Sequence, residues 1–400
     1  MRILYGVVGE GMGHATRSRV VIGHLLDQGH QLFVVVSGRA HRFLSEAFAD
    51  RRGSGPGQLE LREISGLHLI YDEGGVDKSA SLWSNLDAAP AGIRRNLDVY
   101  AQVVGGFAPE AVVSDFESWA YLYARRQDIP VLSIDNMQVI NRCRHDPALT
   151  SAPDGLPDLD YALARLSVKV KLPGAWHYLV TSFFHPPVQK PRTTLVPPIL
   201  RPELLAARRE PGAHVLVYQT ADASRALLPT LSRLAVPFRV YGVGLDHDVG
   251  PNVSLRPFSQ DGFIDDLRTA RAVIAGGGFS LMSEAVHLHV PMLSVPLQAQ
   301  FEQELNARWL QRLGYGRREL ALDGDVVTDF LAHTDDYSAH LEAYVPRDNS
   351  MLLGCVDEAL ARMGRGEPRA ATLDAPNLGD IVSAAIDRRL GPDAPQALNR

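Results

Sequence analysis

The sequence predicts an α/β protein of two doubly wound domains, each a parallel sheet flanked by helices, and three observations carry that prediction. Apolar strand-like runs alternate with amphipathic stretches along most of the 400 residues, and the pattern restarts near the middle. Two strands break at glycine turns that reopen as helices, Gly9-Glu10-Gly11-Met12-Gly13-His14 early and Ala275-Gly276-Gly277-Gly278-Phe279-Ser280 late. Between the halves, six of the 26 prolines fall from position 184 to position 202, a composition that stiffens the chain into a connector.

In order along the first half, strands are expected at Ile3–Val8, Leu32–Ser37, Leu59–Ile64, Ala111–Ser114 and Val131–Ile134. Helices are expected between them at Thr16–Asp27, Ala40–Ala49, Ala89–Gly105 and Ser118–Arg126. The aromatic, apolar run Leu172–Val180 reads as a further strand of this half. The second half repeats the scheme at His214–Gln219, Phe238–Gly242, Val253–Arg256, Ala272–Ala275 and Met292–Val295. The pattern implies two Rossmann-like domains, over 1–195 and 196–375, with a helix at Gly379–Arg389 and a Pro-rich tail in 376–400.

Composition narrows the function. A net charge of −6 supplies no broad cationic face, which argues against a nucleic-acid partner. Cys143 and Cys355 stand far apart without neighbouring ligand residues, so neither a disulfide framework nor a zinc site is expected and a reducing cytoplasm fits. The first apolar run meets Gly9 too soon for a signal peptide, and no stretch approaches the roughly 18–20 apolar residues that span a bilayer. The chain is expected to be soluble, or at most attached peripherally to a membrane.

The late glycine turn reads as an anion cradle. A strand that ends in consecutive glycines and restarts as a helix aims free N–H groups and the positive end of the helix dipole at one spot. Glu284, four residues after Ser280, lies on the same helix face, where a carboxylate can accept from ribose hydroxyls.

The early turn admits two readings. As a dinucleotide fingerprint it fits poorly, because His14 stands where a third glycine is wanted and Val36-Ser37-Gly38-Arg39 lacks the acid that would hold a ribose. Alternatively His14 faces a cleft as a general base, with Asp115 at a neighbouring strand end able to fix its tautomer. On residue type alone, His14 and Asp115 could equally cap the helices that come after them.

These features together resemble the donor site of GT-B glycosyltransferases, near the UDP-glycosyltransferase and peptidoglycan N-acetylglucosaminyltransferase branches. The resemblance rests on the cradle with Glu284, on Pro291 and Pro296, on Gln298, Gln300, Glu302, Gln303 and Asn306, and on the Gly-Met-Gly-His loop, so it covers both halves. Gln300–Ala307 with the later Leu313-Gly314-Tyr315-Gly316 is similar to a bacterial and archaeal branch. The resemblance implies two domains facing across a cleft and inverting, metal-independent transfer of a sugar from a nucleotide-sugar, expected to be UDP-linked, to a small-molecule or lipid-linked hydroxyl. No other cofactor is implied.

By position, His14 matches the base and Asp115 its partner. Gly276, Gly277, Gly278, Phe279 and Ser280 fall at the diphosphate, Gly11 and Gly13 are counted among the donor-binding residues, and Glu284 falls at the ribose. Gln300, Glu302 and Gln303 fall at the sugar hydroxyls, and Phe258, in Arg256-Pro257-Phe258, at the base. Gly276 replaces the diphosphate-binding histidine of the plant-type motif, so backbone groups must take that role. A nucleotide-sugar 2-epimerase of the same fold and a non-catalytic nucleotide-sugar-binding protein are the alternatives.

Remaining candidates are weaker. Asp158-Leu159-Asp160 reads as a solvated turn, and His287 and His289 as packing or surface residues. No H-x-x-x-H or C-x-x-C spacing supports a metal. Asp135, Asn136 and Gln138 leave a strand on the His14 rim and could line an acceptor pocket, with Arg17, Arg19, Arg142 and Arg144 adding positive charge that would suit an anionic acceptor or a phospholipid surface.

Overall fold

The computed structural model describes residues 1–9, 11–66, 70–72, 75–77, 91–152, 158–219, 227–257, 259–298, 300–369 and 372–374. Among the described residues, sixteen strands fall into two seven-stranded sheets and a small hairpin. The first sheet joins β1 (Arg2–Val7), β2 (Gln31–Val36), β3 (Leu59–Glu63), β6 (Ala111–Asp115), β7 (Val131–Asp135), β8 (His177–Thr181) and β9 (Thr193–Val196) in the order β3-β2-β1-β6-β7-β8-β9. Every pairing in it is parallel. The hairpin is β4 (Ile70–Asp72) with β5 (Gly75–Asp77).

The second sheet joins β10 (Val215–Tyr218), β11 (Phe238–Tyr241), β12 (His247–Val249), β13 (Val253–Leu255), β14 (Ala272–Ala275), β15 (Met292–Ser294) and β16 (Gly316–Arg318). Its order is β12-β13-β11-β10-β14-β15-β16, parallel except for the edge strand β12. Central strands such as β1, β2, β6 and β14 are buried along nearly their whole length, which is why they read as continuous Val/Ile/Leu runs and not as alternating ones.

In both sheets the order reverses beside the strand that precedes a glycine turn, so the rim at the carboxyl ends opens there. Val7 lies opposite Asp115, and Ser114 opposite Ser133. That register places the loop after β1 beside the ends of β6 and β7.

Several sequence expectations are corrected. The first helix, α1 (Met12–Asp27), begins at Met12 and not at Thr16, because Gly11 takes φ 79° and the chain turns helical at once. His14 therefore sits in the first helical turn. The Pro-rich connector is partly β9, an edge strand, which tolerates flanking prolines. Asp158 is no solvated turn: it caps α2 (Leu159–Lys171), accepting from the Asp160 and Tyr161 N–H groups, and is bonded by Arg308 at 3.3 Å. Asp115 caps no helix; Glu117 caps the one at Ser118–Gln127. The late glycine turn does lead into a helix, α3 (Phe279–His287). The expected helix at Gly379–Arg389, Phe258 and the start of the Ala89–Gly105 helix lie outside the described residues.

Helix α4 (Ser350–Gly364) crosses back and buries Leu352, Cys355, Val356, Ala359, Leu360 and Met363 in the first domain's core with Tyr5, Ile22 and Leu179. His24 and Asp357 meet at 2.8 Å across this contact. Leu360→Ala should lower stability by about 2–5 kcal/mol through the cavity it leaves, measured by urea unfolding.

Candidate functional site

Asp115 ends β6 fully buried and accepts from three side chains of α1. His14 Nδ1 lies 2.8 Å from its Oδ1, Ser18 Oγ donates to Oδ2 at 2.8 Å, and Arg17 Nε donates to Oδ2 at 2.9 Å while Arg17 Nη2 donates to Oδ1. These donors stand at i, i+3 and i+4 on one helix face. The residue after Asp115, Phe116, has φ 53°, an uncommon backbone for a bulky residue at a strand end.

Burial alone would raise the Asp115 pKa, but the Arg17 guanidinium and the His14 bond outweigh it and hold the carboxyl far below the usual carboxylate range. Burial first, and Arg17 second, push His14 below its ordinary value, with Asp115 opposing. The imidazole is thus neutral at pH 7. Nδ1 also lies 2.6 Å from Arg17 Nη2, and it cannot both donate to Asp115 and accept from Arg17. Arg17 already has Asp115 and Asn136 as acceptors, so Nδ1–H donating to Asp115 satisfies every group and leaves Nε2 with the lone pair. The His14 side chain keeps 18% exposure.

A continuous hydrogen-bond chain leads from there to the second domain. Arg17 Nη1 donates to Asn136 Oδ1 at 2.5 Å, and Asn136 Nδ2 donates to Glu302 Oε1 at 2.7 Å. Asn306 Nδ2 donates to the same Glu302 oxygen at 2.6 Å and to the Gly277 carbonyl at 3.1 Å. Burial pushes the Glu302 carboxyl up to about 7, against the lowering effect of Asn306, Arg17 and Asn136. Next to Asn136, Asp135 accepts from Ser133 and from the Gln138 N–H, and burial pushes it up to about 6.

The late glycine turn opens α3 at Gly278, with no side-chain cap and no acid in the first turn. Its first N–H groups have no intrahelical partner. Gly278 is exposed, and a Cβ there would meet nothing within 4 Å. Gly277 is different: its N–H donates to Gln303 Oε1 at 3.0 Å, and a Cβ would lie 2.3 Å from the Gln303 carbonyl oxygen. Gly276 approaches the Gln303 amide, 3.2 Å from an added Cβ. Phe279 is buried and stacks on Phe183 of the first domain at 6.0 Å, so its backbone alone is left for a ligand. Gly13 faces Ser280 so closely that a Cβ would lie 2.5 Å from its Oγ. The two uncapped helix N-termini, at Gly11 and at Gly278, therefore converge.

Other expected contacts are arranged differently. Gln303 Oε1 accepts from the Gly277 and Leu297 N–H groups and its Nε2 donates to Gln300, so its amide braces the turn. Glu284 holds a buried bidentate pair with Arg201, at 2.8 and 2.7 Å. Arg142 is buried against Tyr178, 3.6 Å from the ring centroid, and is no mouth residue, while Arg19 pairs with Glu203 across the domains at 2.6 Å. Arg17 as the Asp115 anchor and Arg201 as the Glu284 partner were not assigned from sequence. The His14-x-x-Arg17-Ser18 spacing could have shown the first, but nothing in the Pro-rich segment marks the second. Among the described residues no cluster of three or more His, Cys, Asp or Glu side chains could hold a metal.

Comparison with known proteins shows a family and a fold. A family model described as glycosyl transferase family 1 matches residues 1–334. An uncharacterized glycosyltransferase of Methanosarcina mazei is 27% identical over 345 residues, covering 79% of this chain and 85% of that protein. Among solved structures, a UDP-glucosyltransferase from Polygonum tinctorium capable of glucosylating indoxyl superposes with a TM-score of 0.61 at 14% identity, covering 91% of this chain and 98% of that one. Acinetobacter baumannii MurG gives a TM-score of 0.53 at 16% identity, covering 89% and 99%. The two facing parallel-sheet domains are thus the GT-B architecture.

Glu302 gives a pH test. Its raised pKa means that the stability it contributes is present at acid pH and is lost as pH rises through about 7. E302Q cannot ionise and keeps the oxygen that Asn136 and Asn306 donate to. It should be more stable than the parent by roughly 1–3 kcal/mol at pH 8 and by much less at pH 5, measured by urea unfolding.

Proposed function

The chain belongs to glycosyl transferase family 1, and from that premise we propose that it is an inverting transferase moving a hexosyl group from a UDP-sugar to a hydroxyl of a small-molecule or lipid-linked acceptor. The observation that carries the reading is the placement of His14, held through Nδ1 by Asp115, at a helix N-terminus that meets a second, uncapped helix N-terminus across Gly13 and Ser280. One side offers a base and the other an anion site.

In this reading Nε2 of His14 takes the proton of the acceptor hydroxyl. The freed oxygen attacks the anomeric carbon from the face opposite the nucleotide, and the bond from that carbon to the diphosphate oxygen breaks. The leaving diphosphate gains negative charge where the N–H groups of Gly278, Phe279 and Ser280 and the helix dipole offset it, so no metal is required for the step. The imidazolium formed meanwhile is stabilised by Asp115, which stays ionised because Arg17 holds its pKa down. Glu284 is the group for the ribose. A carboxylate has about four lone-pair sites, so a hydroxyl can add beside the Arg201 fork without displacing it.

UDP should raise the melting temperature of the purified protein without added metal, and more than GDP or dTDP does. His14→Ala should keep that shift and lose about a hundred- to ten-thousand-fold in UDP release from UDP-sugars in the presence of acceptor. Unchanged turnover in His14→Ala would remove the base from the mechanism. In the pH profile, Arg17→Gln should move the acid limb of kcat/KM upward, because it deletes a cation that depresses His14. Asp115→Asn should move that limb downward and reduce kcat.

A further inference from the structure

We propose that one helical layer of the first domain is a docking surface for an anionic phospholipid bilayer. The layer consists of the helix over 91–102 with its wide continuation Val103–Phe107, the helix Ser118–Gln127, and α2. All three bury their inner residues in the same core on one side of the sheet, among them Val99, Tyr121 and Val168. The first is joined to the second by Gln127 Nε2 donating to Tyr100 OH at 2.7 Å, and the second is joined to the turn that follows the third by Tyr121 OH donating to the Pro173 carbonyl.

Their outer faces carry large apolar side chains among the charged ones, where an ordinary surface helix turns its apolar residues inward. On α2, Leu159, Leu163, Leu166 and Val170 are 77, 58, 55 and 63% exposed, at i, i+4, i+7 and i+11, so they form a single stripe. The first helix turns Ile93, Leu97 and Val104 outward at 61, 61 and 45% exposure, and the second turns out Leu122 at 63%. These eight account for all but three of the exposed large hydrophobic residues among the described residues, the others being Leu245, Leu320 and Val345. Beside Leu122 a cavity of about 340 Å³ is lined by Tyr100, Trp119, Tyr123 and Arg126. Aromatic residues with one polar end suit a boundary between water and acyl chain.

Charge selects the occupant. The three helices carry seven cations, Arg94, Arg95, Arg125, Arg126, Arg165, Lys169 and Lys171, against Asp98 and Asp160, whereas the whole chain is −6. Leucine stripes interleaved with Lys and Arg match the acyl boundary and headgroup layer of an anionic membrane, where long cationic side chains can reach outward from the apolar stripe. A second copy fits poorly. A two-fold interface sets one patch against itself, so this excess of five positive charges would face an identical excess. The surface also adjoins the site, because Lys171 lies over the ring of Phe116 at 4.0 Å, next to Asp115. No helix of the described residues is long and apolar enough to cross a membrane, so the contact is one of lying on the surface.

Cosedimentation with vesicles of mixed phosphatidylglycerol and phosphatidylcholine, and with phosphatidylcholine alone, tests the proposal. The full chain should bind the anionic vesicles at least ten-fold more strongly than the neutral ones, and less so as salt is raised. The exposed-site double variant Leu163→Glu/Leu166→Glu should lose that binding while keeping its UDP-induced thermal shift and its melting temperature. Arg125→Glu/Arg126→Glu, which leaves every leucine in place, should weaken it in the same direction. Three outcomes overturn the proposal: no binding to either vesicle, equal binding to both, or a dimer in sedimentation equilibrium that Leu163→Glu/Leu166→Glu dissociates.

Discussion

The buried ion pair between Asp115 and Arg17 is the constraint on which the site depends. A carboxylate at the end of a central strand, without water, is tolerable only with a charge partner and filled lone pairs. Arg17 supplies the charge, and Ser18 and His14 fill the remaining positions. Because all three donors sit on the first turns of α1, the pair also fixes the rotation of that helix about its axis. The His14 ring is oriented as a by-product of neutralising Asp115. Arg17 has a second effect, since its charge adds to burial in lowering the His14 pKa and so in keeping the imidazole neutral at pH 7.

The same guanidinium starts a polar route from His14 to the glycine turn, through Asn136, Glu302 and Asn306 to the Gly277 carbonyl. Each link lies within hydrogen-bond distance, so the two domains meet in register at the cleft and not merely by apolar contact. Apolar stacking nonetheless sets the spacing behind that route. Phe183 lies on Phe279 and Phe184 on Trp309, at 6.0 and 4.8 Å between ring centroids. The glycines at 13 and 277 are the points where these constraints leave no room for a side chain.

Features set by local chemistry could be read from the sequence. Alternating strands and helices, both glycine turns and the His14–Asp115 pair were legible because strand ends on one rim of a parallel sheet must meet. Features that depend on partners remote in the chain stayed hidden. Glu284 looked like an open carboxylate, since nothing near it announces Arg201, 83 positions away. Gln303 looked like a ligand group, yet its amide is the brace of the turn preceding α3. Ser350–Gly364 reads as an ordinary amphipathic helix that any domain could accept, so its return to the first core could not be inferred from its pattern. The outward leucines of α2 have the helical period but the wrong side, and only the position of the core reveals that.

The two passages of the chain between domains are coupled at one point. Leu200 gives its N–H to Asn349 Oδ1 at 2.9 Å and receives Asn349 Nδ2 on its carbonyl at 2.7 Å, which fastens the outgoing segment to the start of the returning helix. The next residue, Arg201, grips Glu284 on α3 through a bidentate, buried pair, and such a pair broken on one side leaves an uncompensated charge. The crossing and the helix that begins at the glycine turn are therefore one mechanical unit. Any rotation of the second domain about the crossing must carry Glu284 and the N-terminus of α3 with it, so a hinge motion and the position of the glycine turn are linked by geometry and need no separate device.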